Sequence, residues 1–174
     1  SISAKRFSNF PVRISDVGVI FDTLIHDIDI LRYLSSGEVV SIYTIGGDFK
    51  KTGNEDHAGI MMNFSTGVKG MCTASWLRPM KKRHLSLTCS THYISADLIS
   101  QEISIFPTGS SDLTKKSISL KKEEPLKNEL SDFLKSIILN TQPLVSGIEG
   151  AKTVRIAELA LESLKSGDRI ICNK

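Results

Sequence analysis

Laid on a helical wheel at about 100° per residue, Asp22, His26, Asp29 and Tyr33 of residues 18–34 fall within roughly 60° of one another. Val17, Ile20, Phe21, Leu24, Ile28 and Leu31 make up the opposite face. A carboxylate four residues before an imidazole sits roughly 5–6 Å from it at Cβ, close enough to favour the imidazolium and to orient the ring. That is how a general acid/base is prepared for work near neutral pH. An ordinary surface ion pair has the same spacing, and Asp22, His26 and Asp29 also offer hard ligands. No second histidine stands four residues along, as metalloprotease helices require, so no metal is expected.

Other chemistry is thin. The sequence has no G-x-G-x-x-G, no G-x-x-x-x-G-K-[ST] and no G-x-S-x-G, so it carries no dinucleotide turn, phosphate loop or nucleophile elbow of its own. Cys72, Cys89 and Cys172 form no C-x-x-C pair and read as core thiols in a reducing cytoplasm. His57, after Glu55 and Asp56, reads as a solvated turn residue, and His84 and His92 sit in strand and turn patterns. The one basic cluster, Arg78-Pro79-Met80-Lys81-Lys82-Arg83, reads as a solvated sheet edge or as a phosphate holder in which Arg78 presents a planar fork beside Trp76.

The elements that must position these groups follow from pattern and composition. A chain of 174 residues suits one domain, residues 1–174, and buries about 70% of its unfolded surface without cross-links. A formal charge of +3 does not argue for nucleic acid, and no apolar run approaches the ~20 residues that cross a bilayer. Position 1 is Ser and the first residues read like the middle of a strand, which suggests a piece of a longer protein. Residues 1–9 predict a strand leading into the helix of residues 18–34, which Gly37 helps to end. The period then falls to 2. Strands are expected over 38–45, 58–64, 68–76, 84–89, 93–97 and 102–106, with Gly67 in a tight turn. Pro125 opens a helix whose stripe is Leu126, Leu130, Phe133, Leu134, Ile137 and Ile138. Ser146 and Glu149 form a capping box for a second helix that buries Val154, Ala157, Ala160, Leu161 and Leu164, and 170–172 could be a last strand. The fold class is α+β: an open, mainly antiparallel sheet with helices packed on one face.

Four motifs in order carry a resemblance over nearly the whole chain. Gly18-x-x-x-Asp22-x-x-x-His26-x-x-Asp29, Trp76-Leu77-Arg78-Pro79, Glu124-Pro125-Leu126-Lys127-Asn128-Glu129-Leu130-x-x-Phe133 and Pro143-x-x-x-Gly147-x-x-Gly150 together resemble the C-terminal domain of the Gfo/Idh/MocA oxidoreductases. His26-Asp27-Ile28-Asp29-Ile30 and the stretch from Glu124 to Phe133 look most like the branch that includes UDP-N-acetylglucosamine 3-dehydrogenases. The resemblance implies an N-terminal Rossmann domain, absent from this chain, that binds NAD or NADP and carries a catalytic lysine, so this chain alone should be inactive. It implies that His26 exchanges a proton with a hydroxyl of a sugar, cyclitol or nucleotide-sugar, and that Asp22 orients His26 or binds substrate. Asp29, Arg13, Trp76 and Arg78 become substrate-side residues, and the open sheet packs against a second copy in a homo-oligomer. The sequence departs from the family in placing Val19, Ile20, Phe21 and Leu24 where glycines are common. The alternative is a stand-alone assembly module whose sheet mediates protein contacts.

Overall fold

The computed structural model describes residues 1–11, 14, 16–109 and 114–172. Strands β1 (Ile2–Phe7), β2 (Val39–Gly47), β3 (His57–Phe64), β4 (Lys69–Ser75), β5 (Lys82–Thr88), β6 (His92–Asp97), β7 (Glu102–Pro107), β8 (Lys116–Ile118) and β9 (Ile170–Ile171) form one sheet in the order β8-β7-β6-β5-β1-β4-β3-β2-β9. β1 runs antiparallel to β5 but parallel to β4, and the remaining pairs are antiparallel. The parallel pair follows from the crossover: the chain leaves β1, forms a helix and two strands, and returns beside β1 in the same direction. β8 lacks an alternating pattern and is missed by sequence reasoning, because all three of its residues are exposed and nothing selects for apolar ones.

Two helices cover one face of the sheet. A π-helical turn over Ile20–Leu24 runs into α1 (Ile25–Ser35), and α3 (Gly147–Ser166) packs beside them. Ile20, Leu24, Ile28 and Leu31 are completely buried against Ile42, Ile60 and Cys72 of the sheet, with Ala157 and Ala160 of α3 closing the layer. Gly70 permits this contact, since a Cβ there would meet the Phe64 ring at 2.7 Å and Leu31 Cδ2 at 2.9 Å. At full burial each Leu or Ile contributes about 1.5–3 kcal/mol, so this layer is the main stabilising surface. The opposite face is open, with Ser3, Met71, Met61 and Tyr43 aligned across neighbouring strands.

Several local expectations are corrected. The left-handed residue that ends α1 is Ser36, at φ 51°, not Gly37. Ser146 does cap α3, its hydroxyl accepting from the Glu149 amide, but the Glu149 carboxylate does not return to the cap. It is drawn instead to the Arg32 guanidinium at 2.8 Å and to Lys152 at 3.1 Å, which together hold its carboxyl below the usual range. The buried side of α3 is Thr153, Ile156, Ala157, Leu159, Ala160 and Ser163, whereas Val154 is exposed. Helix α2 (Pro125–Leu139) forms as its Pro and apolar spacing require, yet its seven leucines, isoleucines and phenylalanine stay 53–79% exposed.

Candidate functional site

The polar stripe is set in place by a carboxylate to which the sequence assigns no role. Glu55 is only 8% exposed. Its Oε1 accepts the Ile20 amide at 3.0 Å and its carbonyl accepts the Val19 amide at 2.8 Å, satisfying donors that the first helical turn cannot pair internally. Gly18 is the matching half of this contact, because a Cβ at that position would fall on the Glu55 carboxylate. The glycine that opens the Gly18-to-Asp29 motif is thus explained by the close approach of an anion.

Beyond this anchor the helix starts with a π turn, its Ile25 amide donating to the Ile20 carbonyl five residues back. The extra residue changes the angular spacing that the wheel assumes. Among the described residues no hydrogen bond joins Asp22 to His26. Asp22 instead accepts from the Thr23 hydroxyl at 2.8 Å, and Thr23 in turn accepts from the Trp76 indole N–H at 3.1 Å. Trp76 is 3% exposed and packed edge-on against Phe10 at 5.5 Å, so it reaches Asp22 through Thr23 and presents no open ring face. Thr23 and Glu55 are the two residues that sequence reasoning missed; a threonine and a pre-strand glutamate carry no motif of their own.

His26 is exposed at the side of a cleft of about 580 Å³ between α1, the β6–β7 hairpin and the segment that enters α2. Arg6, Arg83 and Lys121 contribute cations to its lining, and Asp29, Asp97 and Glu102 contribute anions. Arg6 is already engaged with Asp27, its Nη2 2.8 Å from Oδ1 and both groups largely buried, which fixes α1 to β1. Asp97 is held below the usual carboxylate range by the Ser100 and Ile99 amides that it accepts. His84, beside it on β5, is pushed down by partial burial and by Lys82 and Lys5.

Of the other expected residues, Asp29 stays with His26 on the cleft lining and the rest of those described lie elsewhere. Asp29 Oδ1 accepts from Thr153 Oγ1 at 2.8 Å and lies 3.8 Å from Arg32, so it also ties α1 to α3. Tyr33 is 71% exposed and lines a separate cavity with Arg32 and Glu149. Arg78 is exposed, its guanidinium 5.2 Å from the centre of the Phe7 ring, and does not line the His26 cleft. Arg13 lies outside the described residues. Asp56, next to the His57 that was expected in a solvated turn, is fully buried. Burial pushes its carboxyl up, but His57 Nδ1 at 2.8 Å and the amides of Lys50 and Phe49 draw it down further, to a net position below the usual value. Cys72 is driven well above the ordinary thiol value by burial and by Asp27, which makes it inert.

No group of three or more His, Cys, Asp or Glu side chains among the described residues is placed to hold a metal ion. Nor does any glycine-rich turn lead from a strand into a helix N-terminus, so these residues do not fit the phosphates of a dinucleotide. Asp22, half-buried beside Thr23, does not line the His26 cleft, so the arrangement brings His26 and Asp29 together there and leaves Asp22 one turn away on the same helical run.

The profile of the GFO/IDH/MocA C-terminal domain matches residues 8–95. The UDP-N-acetylglucosamine 3-dehydrogenase of Acidithiobacillus ferrooxidans is 25% identical over 162 residues, covering 90% of this chain and 51% of that protein. A solved structure of that dehydrogenase superposes with a TM-score of 0.87 at 24% identity, over 95% of this chain and 53% of that one. Levoglucosan dehydrogenase in complex with NADH and L-sorbose superposes at 0.85 with 14% identity, over 99% of this chain and 58% of that one. The chain therefore spans about half the length of the relatives it matches.

Proposed function

Because this chain belongs to the GFO/IDH/MocA C-terminal domain family, we propose that it is the substrate-side half of an NAD- or NADP-dependent oxidoreductase acting on a hydroxyl of a sugar, cyclitol or nucleotide-sugar. The observation that carries this reading is His26: an exposed imidazole without a hydrogen-bond partner among the described residues, standing over a cleft on the same helix as the anchored Asp22. Family membership makes the neighbouring activity a dehydrogenation. The likeness to the Acidithiobacillus enzyme favours a UDP-linked sugar among the candidate substrates. His26 takes the hydroxyl proton as the alcohol becomes a carbonyl, or returns it in the reverse direction. Asp22 accepts a hydrogen bond from the substrate, Asp29 supports α1 at the same site, and Arg13 and Arg78 are further substrate-side residues by family resemblance. A nicotinamide bound by a separate Rossmann half supplies the hydride acceptor.

Two exposed surfaces support this organisation. The apolar face of α2 begins at Pro125, on the wall of the His26 cleft, and is the seat of the Rossmann half in this reading. The open sheet face, with Met61 53% and Met71 41% exposed, packs against a second copy. The free thiols of Cys72, Cys89 and Cys172 favour a cytoplasmic setting, and no helix among the described residues is long and apolar enough to cross a membrane.

The test is absorbance at 340 nm with the longer gene product, NAD or NADP, and a panel of free sugars, inositols and UDP-sugars. Turnover with one of them is expected, and His26→Ala lowers it by about 10²–10⁴-fold. A folded, cofactor-binding protein that turns over nothing in the panel shifts the reading to the assembly module, as does near-normal turnover of the alanine variant for His26 itself.

A further inference from the structure

We propose that Thr23 and Trp76 are positioning residues that fix the Asp22 carboxylate, forming a one-way hydrogen-bond relay from the sheet to the substrate side of the helix. The inference rests on the reading of Asp22 as a substrate-side carboxylate. An indole N–H can only donate and a carboxylate can only accept, so the hydroxyl between them has one arrangement. It takes the Trp76 proton at 3.1 Å and gives its own to Asp22 Oδ2 at 2.8 Å. Oδ2 is thereby occupied, and Oδ1 is the oxygen left for a ligand hydroxyl.

The partner that Thr23 chooses separates this relay from ordinary packing. A helical threonine ordinarily donates to the carbonyl three or four residues back. Thr23 is 9% exposed and inside the π turn, yet its proton goes to the neighbouring side chain. A buried indole needs only an acceptor, which the Thr23 oxygen supplies by itself; the second bond, to a half-buried acid, adds nothing to that need. The far end of the relay is equally fixed. The Trp76 amide donates to the Asp56 carbonyl at 2.9 Å, and Phe10 meets its ring edge-on. Asp56 is in turn held by the Lys50 amide and His57. Through Thr23 the carboxylate is therefore referenced to the residue that follows β4 and to the loop before β3.

The chain contains a single tryptophan, so one indole resonance reports the relay. In the 15N-labelled chain, Asp22→Asn should move the Trp76 indole cross-peak although it touches Thr23 alone. In a Thr23→Val background the same change should move it no further, and Thr23→Ser should restore the coupling. In the longer gene product Thr23→Val should lower kcat by about 10–100-fold with a smaller change in KM, since a misplaced group costs rate more than affinity. Thr23→Ser should recover most of the loss. An indole peak indifferent to Asp22→Asn overturns the relay, as does a Thr23→Val protein with lowered Tm and unchanged kcat. Wild-type silence on every sugar would overturn the enzymatic reading instead, while the indole coupling still decides the relay.

Discussion

Helices α1 and α2 have equally clear apolar stripes and opposite fates. Ile28 and Leu31 of α1 lose all contact with solvent, whereas Leu130, Phe133 and Ile137 of α2 keep more than half of theirs. Periodicity states that a helix has a partner; it does not state that the partner is in the same chain. The α1 stripe is met by sheet residues of matching period, and the α2 stripe is met by nothing comparable among the described residues. The polar residues differ in the same sense. In α1, Asp27 is tied to β1 and Asp29 and Arg32 to α3, with His26 left exposed, while α2 is linked mainly through Leu144, whose amide donates to Asp132, and through the Gln101–Glu123 pair at its entrance.

The largest effect should come from breaking the α1 side of that contrast. Arg6→Ala leaves Asp27, 2% exposed, as an uncompensated buried charge, which costs about 3–5 kcal/mol. Leu31→Ala opens a cavity against Gly70 and Phe64 and costs about 2–5 kcal/mol. Urea unfolding of the chain checks both. A loss under about 1 kcal/mol at Leu31 would mean that the layer is not packed as described.

A medium effect, with a pH signature, belongs to the loop that supports Trp76. Asp56 is held below its usual 3.8, so the folded state binds its proton less readily than the unfolded chain does. Its contribution is fully present above the unfolded value and is lost as pH falls through the folded one. Asp56→Asn should therefore cost about 1–3 kcal/mol at pH 7, the range for hydrogen bonds to a charged group, and progressively less as pH falls below the unfolded value of 3.8. Denaturation midpoints of both proteins across this window are the check. A gap independent of pH would place the loss in packing instead.

Much of this molecule was legible in its sequence, and the failures have physical causes. The strands from Ala58 to Phe64 and around Cys72 were readable because their buried face alternates without interruption. The helix of residues 20–35 was readable because Ile20, Leu24, Ile28 and Leu31 make a continuous buried side, but its polar stripe does not converge on one cavity. The π turn was not, since nothing in Ile20-Phe21-Asp22-Thr23-Leu24 distinguishes i to i+5 bonding from i to i+4, and with it went the expected Asp22–His26 pairing. Glu55 and Thr23 were invisible because their partners, Ile20 and Trp76, lie 35 and 53 residues away. Trp76, expected on the substrate side, is buried instead, because its indole is taken up by Thr23 and its ring by Phe10.

The smallest effect is the one that tests the α2 side of the contrast. Phe133→Ala removes a ring that is 56% exposed and substitutes the best helix former, so the chain by itself should change by no more than about 0.5 kcal/mol. If the stripe is the seat of a Rossmann half, as proposed, the same substitution in the longer gene product should cost several times more, toward the about 3–5 kcal/mol of a buried phenylalanine. Urea unfolding of the two lengths, each with and without the substitution, gives four midpoints whose difference of differences is the energy of cover at Phe133. A small value in both lengths would leave α2 uncovered by that half. A value in the short chain that grows with protein concentration would assign the face to a second copy of this chain, because only association makes stability depend on concentration.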